Sequence, residues 1–205
     1  ADSLQQIGRG LAGALVIEER EPVVVDRDVL WLLQDWRLTR DWQIAAGFDN
    51  RMDAAMSGRV GNVVTLNGTM PGDQKVRAGE RIRLRLANAA VARMMALNFE
   101  KHRPTIVAID GQPCEPHEPE GGRLVLGPAM RVDVILDMQG DPGKRYAVTD
   151  DFYEGLAYTL TSLAYDAGPP LRADPLDAPV GLPRNPLPEP DLGNAVHQIG
   201  RASCR

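Results

Sequence analysis

The chain has 205 residues, of which 43% are hydrophobic and 25% charged, enough for one large domain with an ordinary buried core. Its net charge of −5 is mixed in sign along the chain, which argues against a nucleic-acid binder with a dedicated basic face. No apolar run reaches the roughly 20 residues of a membrane-spanning helix, and 20 glycines with 16 prolines suit a β-protein rich in turns.

In chain order, Gly10 to Glu19 reads as a glycine-loosened turn leading into a short apolar strand, Leu11 to Ile17. Pro22 then limits backbone pairing. Val23 to Val25 and Val29 to Trp36 are β-branched and aromatic runs that predict strands. Trp42 to Met56 predicts a long surface excursion with room for one helical turn. Val63 to Leu66 predicts a strand closed by the turn pair Asn67-Gly68. Arg81 to Leu86 alternates basic and apolar residues, the period of a half-buried strand. Its arginine row is expected on a solvated face, open to acids on a neighbouring strand. Thr105 to Ile109 (ending at Asp110-Gly111), Leu124 to Leu126, Val132 to Leu136, Arg145 to Val148 and Ala157 to Leu163 complete the strands. Short strands at this spacing predict an all-β sandwich or barrel. Gly168 to Asp191 holds eight prolines in 24 residues, which predicts an extended linker along a surface.

Two cysteines, Cys114 and Cys204, leave open both one disulfide and two free thiols. The three histidines, His102, His117 and His197, include no His-x-His pair, the spacing that puts two imidazoles on one strand face. Cys114-Glu115-Pro116-His117 has the Cys-x-x-His spacing of some blue-copper ligand loops, where a thiolate and two imidazoles bind copper beside a weak axial Met. No Met follows His117 within five residues, Met130 is far on, and only His102 precedes Cys114. The competing reading is a surface loop with a half-buried thiol. Met94, Met95 and Met130 read as core filler. Asp133 with Asp137, and Asp150 with Asp151, read as solvated carboxylates rather than a glycosidase pair. No GxxxxGK[ST] phosphate loop and no GxSxG elbow is present. Trp31 and Trp36, five apart on one strand, face opposite sides; one is expected in the core and the other towards a neighbouring domain.

Five segments, in order, resemble the laccase-type multicopper oxidase family. Gly10 to Glu19 is similar to the end of its first cupredoxin domain, and Leu66-Asn67-Gly68 to a strand and turn of the middle one. Val76 to Ala90 is similar to the stretch opening that domain's second sheet. Ile109-Asp110-Gly111-Gln112-Pro113 and Leu126 to Val134 match the next two landmarks. The resemblance implies a cupredoxin-like Greek-key β-sandwich with a proline-rich C-terminal extension, in a periplasmic or secreted protein. It implies a parent enzyme that oxidises phenols, amines or metal ions and reduces dioxygen to water at copper. The family's copper ligands sit in the first and last domains, so no ligand carries over, and Cys114 stands where the family usually has an apolar residue.

The expected division is a first-domain remnant over 1–21, a central cupredoxin-like domain over 22–166, and a linker with a non-native-looking tail over 167–205. Ala1-Asp2-Ser3 is expected to follow directly on a His-x-His segment. The expected partners are the N- and C-terminal cupredoxin domains of the parent, with self-association through an orphan strand at 11–17 as a further possibility. Copper is expected in the parent and none on this chain. Two other classes stay open: a blue-copper electron carrier using Cys114 and His117, and a non-enzymatic β-sandwich binding module.

Overall fold

Alternating strand patterns build two sheets. The first has the order β2 (Val63–Leu66), β1 (Arg27–Trp36), β4 (Arg81–Asn88), β9 (Arg131–Asp137), β6 (Thr105–Ile109) and β7 (Gln112–His117). The second has the order β3 (Gln74–Val76), β11 (Tyr158–Tyr165), β10 (Arg145–Asp150), β5 (Met95–Phe99) and β8 (Arg123–Leu126). β1 pairs with β4, and β3 with β11, in parallel. Such pairs need crossovers rather than hairpins, so the chain passes repeatedly between the sheets. This computed structural model describes residues 2–172, 174, 177, 179, 181–188, 191–193, 195 and 196. His197, Cys204 and the tail 197–205 lie outside the described residues.

Inward-facing rows fill the space between the sheets. Trp31 and Leu33 of β1, Ile82, Leu84 and Leu86 of β4, and Val132, Val134 and Leu136 of β9 meet Leu97, Phe99, Leu124, Leu126, Val148 and Leu160. Trp31 stacks on Phe99 with ring centroids 6.2 Å apart. Trp36 points the other way, is half-buried, and donates its Nε1 hydrogen to Thr65 Oγ1 at 2.8 Å. Gly10 lies directly against its ring.

Several expectations need correction. Leu11 to Ile17 forms no strand; Leu11, Leu15 and Ile17 are exposed along an extended segment without a sheet partner. Val23 to Val25 is not a strand either, but crosses the outer face of the first sheet beside Arg81 and Ile135. A short helix, α1 (Ser3–Gly8), stands where none is predicted; Asp2 caps it by accepting from the Gln5 amide. Gln112 to His117, read as loop, is the edge strand β7. It pairs with β6 through the two-residue turn Asp110-Gly111, where both residues have positive φ, the conformation a tight hairpin requires. The excursion after β1 does contain one helical turn, α2 (Arg51–Ala55).

The largest correction concerns the arginine row. Arg81 and Arg83 are buried, not solvated, and Arg85 is nearly so. The pairing with acids holds: Arg81 binds Asp137 bidentately at 2.6 and 2.7 Å, and Arg83 reaches Asp133 at 2.6 Å. The cover comes from the flanking segments. Glu19 meets Arg83 at 2.7 Å, Asp26 binds Arg172, and Arg81 donates to the Asp177 carbonyl at 2.7 Å. Farther along, Arg184 pairs with Glu115 and Asn185 with Gln112 on the β7 edge.

This strap has a pH signature. The Arg83 guanidinium hydrogen-bonds Glu19 and holds its carboxyl below the ordinary value of 4.5. A depressed folded-state pKa contributes stability above the unfolded value and loses it as pH falls through the folded one. Hydrogen exchange over residues 19–25, corrected for intrinsic rates, should therefore rise as pH drops below 4.5. Glu19→Gln should show the faster exchange already at neutral pH; an unchanged variant would mean that Glu19 holds nothing down.

Candidate functional site

Three groups of polar side chains are candidates for chemistry, and they lie in different places. The first is the Cys114–His117 pair on β7. Cys114 turns inward against the core, and burial, with Glu115 beside it, pushes its thiol above the usual range. His117 is exposed, with Nδ1 2.8 Å from the Glu115 carbonyl. The β6–β7 register shifts along this stretch, and the thiol packs against the core while the imidazole stays exposed. His102 does not join them. It is buried, its Nδ1 faces the Glu100 carbonyl and its Nε2 faces the Tyr165 hydroxyl.

The second group is the charged ladder on the first sheet's outer face. Asp133 and Asp137 are counterions there rather than a free carboxylate pair. Asp150 is likewise committed, accepting from the Ala96 and Phe152 amides and from the Tyr158 hydroxyl, while Asp151 pairs with Arg123.

The third group surrounds Asp35, whose side chain is 1% exposed at the end of β1. It accepts from the Gly61 amide and lies 3.4 Å from Arg93 Nε. Burial pushes its carboxyl above the usual range in spite of these donors. Nearby, Arg59 is buried and donates to the Ala45, Ala46 and Gly47 carbonyls, fastening the excursion.

Sequence reading missed the Asp35–Arg93 pair and the His102–Tyr165 pair. Both join residues more than 50 positions apart. The available signals were weak: a lone Asp in an apolar strand, and a His amid turn residues.

The architecture is that of a cupredoxin-like β-sandwich. The model of the multicopper oxidase family matches residues 27–165, and the chain belongs to that family. A multicopper oxidase structure from Pseudomonas thermotolerans superposes with a TM-score of 0.81 at 32% identity, over 94% of this chain and 44% of that one. Lac15 from a marine microbial metagenome gives a TM-score of 0.65 at 30% identity, over 86% and 42%. Laccase-3 of Oryza sativa subsp. japonica is 26% identical over 76% of this chain and 30% of its own length. Cell division protein FtsP of Edwardsiella tarda is 28% identical over 97% of this chain and 45% of its own. The chain thus spans less than half the length of these relatives.

Family membership implies copper, and the described residues offer no donor set that fits it. Among them, no three His, Cys, Asp or Glu side chains converge on a point that could hold a metal ion. The half-buried Cys114 packs against the core, and both His102 nitrogens are engaged. Among the described residues, no helix is long and apolar enough to cross a membrane.

Proposed function

We propose that this chain is the structural middle domain of a larger multicopper oxidase, holding the copper-bearing domains in place without binding copper itself. The observation that carries this reading is the donor set: Cys114 packs against the core, His117 is exposed, and His102 is turned to Tyr165. The family match at 27–165 supports a central domain over 22–166. Partial coverage of longer relatives supports partner cupredoxin domains on either side. The parent enzyme would oxidise phenols, amines or metal ions and pass the electrons to dioxygen, in a periplasmic or secreted setting. Its substrate and oxygen chemistry would belong to residues outside this chain.

Copper loading tests the reading. The purified chain, given Cu(II) and freed of excess, should retain less than one equivalent and show no intense thiolate-to-copper band. A stoichiometric blue species lost in Cys114→Ser would overturn it and make the chain an electron carrier.

A further inference from the structure

One end of the sandwich is closed by a buried aromatic cluster outside all of the sites above. Tyr165 ends β11, His102 follows β5, Tyr146 lies on β10, and Met138 follows β9. All four side chains are buried. The Tyr146 ring stands edge-on to both Tyr165 and His102, at 5.3 Å between centroids in each case. Gly140 permits this packing, because a Cβ there would lie 2.3 Å from the Tyr146 ring and 2.7 Å from the Tyr165 ring.

The hydrogen-bond directions follow from the donor inventory. The Glu100 carbonyl can only accept, so His102 Nδ1 carries a hydrogen. Burial keeps the imidazole neutral by lowering its pKa. Nε2 is then an acceptor, and the Tyr165 hydroxyl donates to it. The Gly140 amide donates to the same phenol oxygen at 3.0 Å, and Met138 Sδ is 3.5 Å away. The phenolate route is closed, because burial pushes Tyr165 up to about 12.

We propose that Tyr165 and His102 form a proton-coupled electron-donor site, in which Tyr165 gives one electron to a strong metal- or oxygen-centred one-electron oxidant while its proton moves to His102 Nε2. The phenolic O–H bond breaks and an Nε2–H bond forms. The products are a neutral tyrosyl radical, an imidazolium whose Nδ1–H still faces Glu100, and the oxidant reduced by one electron. Glu100 and Glu80 are the acidic groups acting on this pair: Glu100 favours the imidazolium that forms, and Glu80 further disfavours a Tyr165 phenolate. Tyr146 leads outward to the surface, where Asp141 accepts from its hydroxyl and Lys101 lies 5.7 Å over its ring. Tyr146 and Tyr158 are competing phenols, but each donates to a carboxylate, Asp141 and Asp150 respectively. A carboxylate is a weaker proton acceptor than imidazole by about 2.6 pKa units in their unperturbed forms.

The test oxidises the full chain with photogenerated tris(bipyridine)ruthenium(III) and traps the product for electron paramagnetic resonance. The expected product is a neutral tyrosyl radical, coupled to a nitrogen of 15N-labelled histidine. It should be absent from Tyr165→Phe and kept in Tyr158→Phe. His102→Gln should slow its formation about tenfold or more and remove the solvent isotope effect. An unchanged radical in Tyr165→Phe, or an unchanged rate in His102→Gln, would overturn the proposal. If either variant fails to fold, the labelled wild-type spectrum decides: a tyrosyl radical without histidine coupling rules the pair out.

Discussion

Asp133→Ala is expected to cost about 3–5 kcal/mol of folding stability, the range for breaking a buried charge pair from one side. Asp133 sits on β9 opposite Arg85, and its Oδ2 takes Arg83 at 2.6 Å and Arg85 at 3.5 Å. Arg85 keeps Asp28 at 2.7 Å. Among the described residues, Arg83, whose side chain is 3% exposed, keeps only Glu19 as a close partner, with Asp28 at 3.9 Å. Glu19 belongs to a segment with no sheet pairing of its own. The variant therefore strands a guanidinium that has lost its solvent, and loosens the strap covering it. At about 2–4 °C per kcal/mol for a chain of this size, thermal unfolding should fall by roughly 6–20 °C. The double variant Asp133→Ala with Arg83→Met should recover much of the loss, because it also removes the orphaned charge. A loss under about 1 kcal/mol for the single variant would show that the ladder behaves like an exposed ion pair.

The difference between the ladder and its sequence reading shows where single-chain patterns stop. Arg81 to Leu86 announces a strand with period two, and the strand is there with Ile82, Leu84 and Leu86 inward. The pattern also places the arginines on the opposite face, correctly. It cannot show that residues 50 positions away on β9 and a stretch before β1 cover that face. The same limit hid β5, where Met95, Leu97 and Phe99 are buried but no β-branched run marks the strand. It hid β7 as well, where Pro113 and Pro116 disguise an edge strand as a loop. Leu11 to Ile17 failed in the opposite direction: its local propensity is that of a strand, yet no edge among the described residues receives it. Of the candidate site, the sequence showed Cys114 and His117 and, through the missing Met after His117 and the lone upstream His102, a surface-loop reading beside the copper one. His102 with Tyr165 and Asp35 with Arg93 are tertiary pairs that no local spacing encodes.

Asp35→Ala should be comparably damaging, by about 3–5 kcal/mol, for a different balance of reasons. The carboxylate receives the Gly61 amide and adjoins Arg93, while Gly61 is pressed so closely on β1 that a Cβ would lie 2.6 Å from the Trp36 amide nitrogen. Removing Asp35 leaves the part-buried Gly61 amide without that acceptor and the Arg93 guanidinium, 12% exposed, without its counterion. Yet the ionised Asp35 is itself held at a cost, since burial raises its pKa above the ordinary 3.8. A carboxyl with a raised folded-state pKa contributes stability at low pH and loses it as pH climbs through that value. Asp35→Asn keeps an oxygen for Gly61 and carries no charge to desolvate. Its stability should fall between wild type and Asp35→Ala at neutral pH, and its profile should lack the decline that wild type shows as pH rises above 3.8. Urea unfolding of the three proteins across that range separates the contributions. Equal losses in Asn and Ala would assign the whole effect to the Arg93 ion pair, whereas an Asn variant as stable as wild type would assign it to the Gly61 hydrogen bond.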